Sequence, residues 1–205
     1  MRPDERISRS THEPPVQLGY GLCQAFDDAP NFTFIFPDTR VRRVALPWFL
    51  GRFVIRLGLS YGAVFTANEV DGAAVWLRPN TTIPIQGALR AGLLLMPFRF
   101  GWQSFRRSMR LGSYLEGVRQ QAAPAQHWYL MALGVAPSRQ GRGLGHALVY
   151  PILARADAEQ LPCYLETFTE RNVHFYGKLG FTVLVHDHIP AGGPPFWTMV
   201  RAPQS

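Results

Sequence analysis

Hydrophobic positions along this chain change period several times, and each change marks an element. After a polar lead, Val16, Tyr20, Cys23 and Phe26 recur at helical spacing, which predicts a first helix over 15–26 with Pro15 at its start. Residues 31–36, NFTFIF, are aromatic and stop at Pro37. Asp38 or Thr39 stands where it can cap a second helix over about 40–60, bent at Pro47. Short apolar runs at 63–67 and 73–77 flank Asp71-Gly72 and predict a hairpin. The stretch 81–126 reads as helical and is divided at Pro97.

A long apolar run then ends at Val135, a turn (Ala136, Pro137, Ser138, Arg139) follows, and QGRGLG comes next. Beyond it the period becomes helical, with Leu144, Ala147 and Leu148 on one face of a helix over about 141–159, bent by Pro151. Residues 163–168 form a strand, Asn172 caps a short helix that Gly180 closes in a left-handed conformation, and strands over 181–185 and 196–201 finish the chain. Helices, a hairpin, more helices and then alternating strands and helices amount to a mixed α/β (α+β) fold.

Length and composition narrow the class. With 205 residues, 47% of them hydrophobic and only 17% charged, the chain can bury a sizeable core as one domain, residues 1–205, with only the polar start, 1–13, expected to be flexible. Arg52, Arg56 and Arg90 interrupt the longest apolar stretches, which predicts no membrane span and a cytoplasmic protein. The net charge of +7 rests on twenty arginines and one lysine, Lys178. The arginines are scattered and no nucleic-acid motif accompanies them, so nucleic acid is not the expected partner. Cys23 and Cys163 have neither disulfide nor metal-ligand spacing, and no metal is expected.

The glycine loop carries the candidate chemistry. Gly141, Gly143 and Gly145 alternate between an apolar strand and a helix start. Helix-start amides point outward unpaired and the helix dipole favours an anion, while glycine permits close approach of backbone to phosphate. Three nucleotide loops can be tested. A P-loop requires Gly-Lys-Ser/Thr, and His146 follows Gly145 instead. A dinucleotide fingerprint requires three glycines directly after the strand. Here four residues intervene and His146 stands in the place of the third glycine, although Glu166 closes the next strand roughly where a ribose-binding acid would be. The third pattern, Gln/Arg-x-x-Gly-x-Gly/Ala, is met by Gln140, Gly143 and Gly145.

With that pattern, and with LETFTERNVHFYGKLGF at 165–181 matching a second signature, the chain resembles the GNAT superfamily of acetyl-CoA-dependent N-acetyltransferases. The segments 130–145, 165–183 and 191–199 are similar to its puromycin N-acetyltransferase-like branch, whereas the first 120 residues match only loosely. The resemblance implies a central mixed, mostly antiparallel sheet flanked by helices, with two parallel strands splayed to admit acetyl-CoA over a core at 127–181, and 81–126 as a helical insertion. It implies that Leu133, Gly134 and Val135 pair with the pantetheine arm, and that Gln140, Gly141, Arg142, Gly143, Leu144, Gly145 and His146 cradle the pyrophosphate. Asn172 would contact the coenzyme.

Tyr176 would be the general acid, since a phenol can protonate the thiolate expelled when an amine attacks a thioester. Its buried neighbours would be Phe175 and Leu179, with Tyr176 one position off that stripe. Glu166, His127, His174 and His188 are all conceivable bases. The acceptor would enter against the first two helices, the 81–126 insertion and the 188–195 loop, among Phe32, Phe34, Phe36, Trp48, Phe98, Phe100, Trp102 and Phe196. The expected activity is acetylation of a primary amine on a small molecule by a monomer or homodimer. A protein, peptide or aminoacyl-tRNA amine, and a non-catalytic acetyl-CoA sensor, are the alternatives.

Overall fold

The computed structural model describes residues 7–11, 23–68 and 71–204. These form a seven-stranded sheet of order β1-β2-β3-β4-β5-β7-β6, in which every neighbouring pair is antiparallel except β4 and β5. Strand β1 (Ile7–Ser10) lies at one edge, so within the start expected to be flexible, 1–13, residues 7–10 are paired in the sheet, while 1–6 and 12–13 lie outside the described residues. Of the helix expected over 15–26, residues 23–26 are helical, while 12–22 lie outside the described residues.

The aromatic segment forms α1 (Pro30–Ile35). Helix α2 (Thr39–Trp48) begins under Asp38, whose carboxylate accepts from the Arg40 amide at 2.7 Å. Pro47 has no N–H to donate, and the backbone widens into a π-helical segment (Phe49–Val54) before resuming as α3 (Ile55–Tyr61). Strands β2 (Gly62–Ala67) and β3 (Gly72–Leu77) make the expected hairpin.

The 81–126 stretch breaks differently from the expectation. It forms α4 (Ile85–Arg90), a 3-10 turn (Leu93–Leu95), α5 (Met96–Phe100) and α6 (Trp102–Ala122). The breaks fall at Gly92 and Gly101, with φ of 107° and 86°, and Pro97 sits harmlessly in the first turn of α5. Strand β4 (Trp128–Val135), helix α7 (Leu144–Ala158), strand β5 (Cys163–Thr167), helix α8 (Glu170–Gly177) and strands β6 (Thr182–His188) and β7 (Pro195–Arg201) complete the chain. Helix α7 starts three residues later than the apolar pattern suggests, because the left-handed Gly143 cannot be part of it.

All of β3 is buried, and its alternate residues serve opposite cores. Ala74 and Trp76 face a cluster with Leu144, Leu148 and Ile152 of α7, whereas Ala73 and Val75 face Phe36, Leu46 and Leu50. The helices therefore cover both faces of the sheet, on either side of the β4–β5 junction.

Candidate functional site

The parallel pairing of β4 with β5 lasts only three residues, Trp128 to Leu130 against Cys163 to Leu165. Its end has a local cause. On the other side of β4, Trp76 opposes Leu130 and Val75 opposes Ala132, so Met131 is an extra residue in the ladder. Such a bulge bends its strand and increases the twist. From Met131 onward β4 leaves β5, and a cavity of about 990 Å³ opens from the gap, bounded by the glycine loop, α8, α6, α1 and the π-helical segment.

At one end stands the loop. Gly141 and Gly143 have φ of 74° and 85°, which side chains with a Cβ rarely adopt. A Cβ on Gly145 would lie 3.2 Å from the Phe175 ring, so the third glycine serves packing between α7 and α8. The first backbone bond of the helix runs from the Ala147 amide to the Gly143 carbonyl at 3.0 Å, leaving the Leu144, Gly145 and His146 amides ahead of the ladder. Leu144, 2% exposed, pins the turn to the core. Gln140 donates to the Val135 carbonyl at 3.0 Å and accepts from Arg171 at 3.1 Å. Arg139 pairs with Asp71 at 3.3 Å.

Helix α8 forms the next wall. Thr169 caps it, accepting from the Asn172 amide at 3.3 Å, which corrects the assignment of Asn172 as the cap. Asn172 instead stands in the first turn and lines the cavity. Tyr176 is 7% exposed, packed edge-on against Phe175 and Phe181 with ring centroids 5.1 and 5.8 Å away. It belongs to the buried stripe with Leu179, and Phe175 is only half-buried, the reverse of the predicted stripe. Burial pushes the Tyr176 phenol well above its ordinary value, so it carries its proton throughout the neutral range.

Glu166 faces the middle of the cavity from β5. Burial pushes its carboxyl up to about 7, against the opposing pull of a hydrogen bond from Tyr129 and the charge of Arg119. The Arg119 guanidinium lies 4.7 Å from the centre of the Tyr129 ring and pairs with Glu116. The Tyr164 hydroxyl, buried beside them, makes no well-formed hydrogen bond. Beyond this cluster Phe26, Phe32, Phe49, Leu50, Leu111 and Leu115 give the wall an apolar surface, interrupted by Gln24, Asp28 and Asn31.

Among the residues predicted for the site, Leu133, Gly134, Val135, Gln140, Gly141, Gly143, Leu144, Gly145, His146, Asn172 and Tyr176 all border this one cavity. Arg142 does not; its side chain is exposed at the outside of the turn. Arg119, Arg139 and Arg171 do border it; no motif in the sequence singles them out, and position between Pro137 and Gln140, or beside Asn172, is the only signal for the last two. Of the four conceivable bases only Glu166 reaches the cavity. His127 is held by the Pro124 carbonyl at 2.6 Å, with burial pulling it below the ordinary histidine value; His174 and His188 are exposed. Of the acceptor-wall aromatics Phe32 alone borders the cavity. Phe36, Phe100, Trp48 and Phe196 pack in cores, Phe34 leans on them, and Phe98 and Trp102 face outward. The 188–195 loop takes no part.

Comparison with known proteins agrees with this geometry. The model of the Acetyltransferase (GNAT) family matches residues 107–181. A curated protein of Schizosaccharomyces pombe, described as an uncharacterized N-acetyltransferase, is 24% identical over 194 residues, 90% of this chain and 78% of its own length. Among solved structures, a Corynebacterium glutamicum protein described as histone acetyltransferase HPA2 and related acetyltransferase superposes with a TM-score of 0.70 at 22% identity, over 98% of both chains. The Drosophila melanogaster polyamine N-acetyltransferase, described as catalysing formation of N-acetylagmatine, superposes with a TM-score of 0.59 at 14% identity, covering 97% of this chain and all of its own.

Proposed function

Because the chain belongs to the GNAT superfamily of N-acetyltransferases, we propose that it moves an acetyl group from acetyl-CoA to the primary amine of a small molecule with an apolar body. The observation that carries this reading is one continuous cavity joining three features: the glycine loop, the gap between β4 and β5, and an apolar wall. The coenzyme fits the residues present. The amides of Leu144 to His146 and the Arg139 and Arg171 side chains offer donors and positive charge to a pyrophosphate. The edge of β4 beyond Met131, unpaired on the β5 side, offers Leu133, Gly134 and Val135 to an amide-bearing arm.

Acetyl-CoA supplies the acetyl thioester. Glu166, titrating at about 7, takes a proton from the incoming ammonium, directly or through water. The freed amine nitrogen bonds to the acetyl carbon, the carbon–sulfur bond breaks, and Tyr176 gives its Oη proton to the departing sulfur. The second proton, shed by the nitrogen as it becomes an amide, returns to the Tyr176 oxygen directly or through water, so that one proton in all, the one on Glu166, is released to solvent. Burial keeps the Tyr176 phenol neutral, so the proton it gives is in place across the neutral range.

The acceptor end is lined by aromatic and aliphatic side chains together with Gln24 and Asn31, with Asp28, Glu116 and Glu166 as acids within it. That combination favours an amine attached to an apolar or aromatic group. A panel of arylalkylamines, agmatine, polyamines and puromycin-like aminonucleosides, followed by thiol release, tests the reading. Turnover highest on the arylalkyl or aminonucleoside members supports it. Acetyl-CoA binding without turnover on any amine would make the chain a sensor instead.

A further inference from the structure

Residues 85–110 present a second surface that neither the cavity nor the sheet uses. On its inner side Met96 and Phe100 are buried, with the Phe100 ring 5.4 Å from Trp48 and 5.8 Å from Phe36. This packing fixes which side faces out. There Phe98 is 88% exposed, Trp102 62% and Leu94 60%, in company with Ile85 and Leu95. Single exposed hydrophobics are ordinary, but a run of large ones confined to adjoining elements marks an interaction site.

The charges within the run point to the partner. It holds five arginines and no acid. Arg90, Arg99, Arg106 and Arg110 are exposed, and no carboxylate among the described residues pairs with them. Exposed phenyl and indole rings rimmed by unpaired guanidinium groups complement an anionic lipid interface, where rings enter the acyl boundary and the cations meet phosphates. Among the described residues no helix is long and apolar enough to cross a bilayer. Single-stranded nucleic acid would ask for aromatic platforms along a basic groove, and the aliphatic Ile85, Leu94 and Leu95 offer none.

We infer that the 85–110 surface docks the protein onto anionic membranes. The inference rests on this surface alone and stands independently of the amine acceptor proposed above. Co-sedimentation of the full chain with vesicles of phosphatidylcholine, with and without phosphatidylserine, tests it. The protein binds the mixed vesicles at least about tenfold better than the neutral ones, since each arginine near such a surface contributes roughly fivefold. Phe98→Ser with Trp102→Ser, and separately Arg99→Gln with Arg106→Gln, each weaken binding to mixed vesicles by about tenfold or more. Thermal melting and solution acetylation are unchanged in both variants. Failure to bind the mixed vesicles, or equal binding by the variants, overturns the inference. So does a concentration-dependent dimer abolished by the Phe98/Trp102 change, or salt-sensitive RNA binding, when neither is accompanied by vesicle binding.

Discussion

Gln140 donates its side-chain amide to the Val135 carbonyl at 3.0 Å, tying the first residue of the glycine loop to the last residue of the strand that borders the gap. The same side chain accepts from Arg171 of α8 at 3.1 Å. One residue thus couples strand, loop and neighbouring helix, and it does so without touching the reacting atoms.

Replacing Gln140 by Ala removes both bonds together. The loop loses its hold on β4, and Arg171 loses the partner that orients it. The expected outcome is a KM for acetyl-CoA raised about tenfold with kcat little changed, the pattern of lost uniform binding. Gln140→Glu, which keeps an acceptor for Arg171 but loses the donor to Val135, should fall between. Steady-state kinetics with acetyl-CoA as the varied substrate checks this, and an unchanged KM in both variants would exclude the coupling.

As the proposed base, Glu166 should give the activity a pH dependence. Burial raises its carboxyl to about 7, so the basic form accumulates as pH rises through that value, and kcat/KM should rise with it. Glu166→Gln should remove that limb and lower kcat by about a hundredfold. Stability runs the other way. A group raised from 4.5 to about 7 on folding contributes fully below the lower value, and the contribution is lost as pH climbs through the upper one. Melting curves between pH 5 and 8 should therefore show the Gln variant gaining on the parent as pH rises, roughly over that window.

Arg201 and Asp157 carry the main structural ion pair. Two hydrogen bonds join them at 2.6 and 2.8 Å, and Arg201 also donates to the Leu179 carbonyl at 3.0 Å, locking β7 to α7 and to the turn after α8. Asp157→Asn leaves a buried guanidinium without its counter-charge and should cost about 3 kcal/mol. That corresponds to a Tm lower by roughly 10 °C for a chain of this size. The Arg201 hydrogen bonds hold the Asp157 carboxyl below its ordinary value, so the pair stabilises at neutral pH and its contribution is lost as pH falls through that lowered value. A calorimetric Tm for the variant that matched the parent at pH 7 would refute the assignment.

Much of this was legible in the sequence, and the misses have identifiable causes. The strand–glycine–helix segment could be read because its turn chemistry is local: Gly141 and Gly143 do adopt left-handed conformations. Gly180 could be read on the same ground, and the β2–β3 hairpin from its periodicity. What could not be read depends on partners distant in sequence. The bulge at Met131 exists only relative to Val75 and Trp76, so nothing in the run from Trp128 to Val135 announces it. Thr169 and Asn172 are both good caps, and choosing between them needs the exit angle of β5. Phe98 and Trp102 look like core aromatics until Gly92 and Gly101 are seen to turn their elements outward.

Tyr176 permits the sharpest test, because its packing and its chemistry can be separated. The ring fills space against Phe175 and Phe181, and phenylalanine preserves that packing while deleting the hydroxyl alone. Tyr176→Phe should keep the parent Tm to within a degree or two and keep the KM for acetyl-CoA. It should also lower kcat by about a hundredfold, since the departing sulfur must then take its proton from water. The high position of the phenol adds a further signature. Across the neutral range it is always protonated, so the parent's pH profile should show no limb belonging to Tyr176, and the Phe variant should retain the rising limb of Glu166 at a lower plateau. A variant with unchanged kcat would remove Tyr176 from the reaction. One with a raised KM and an intact kcat would make it a binding residue.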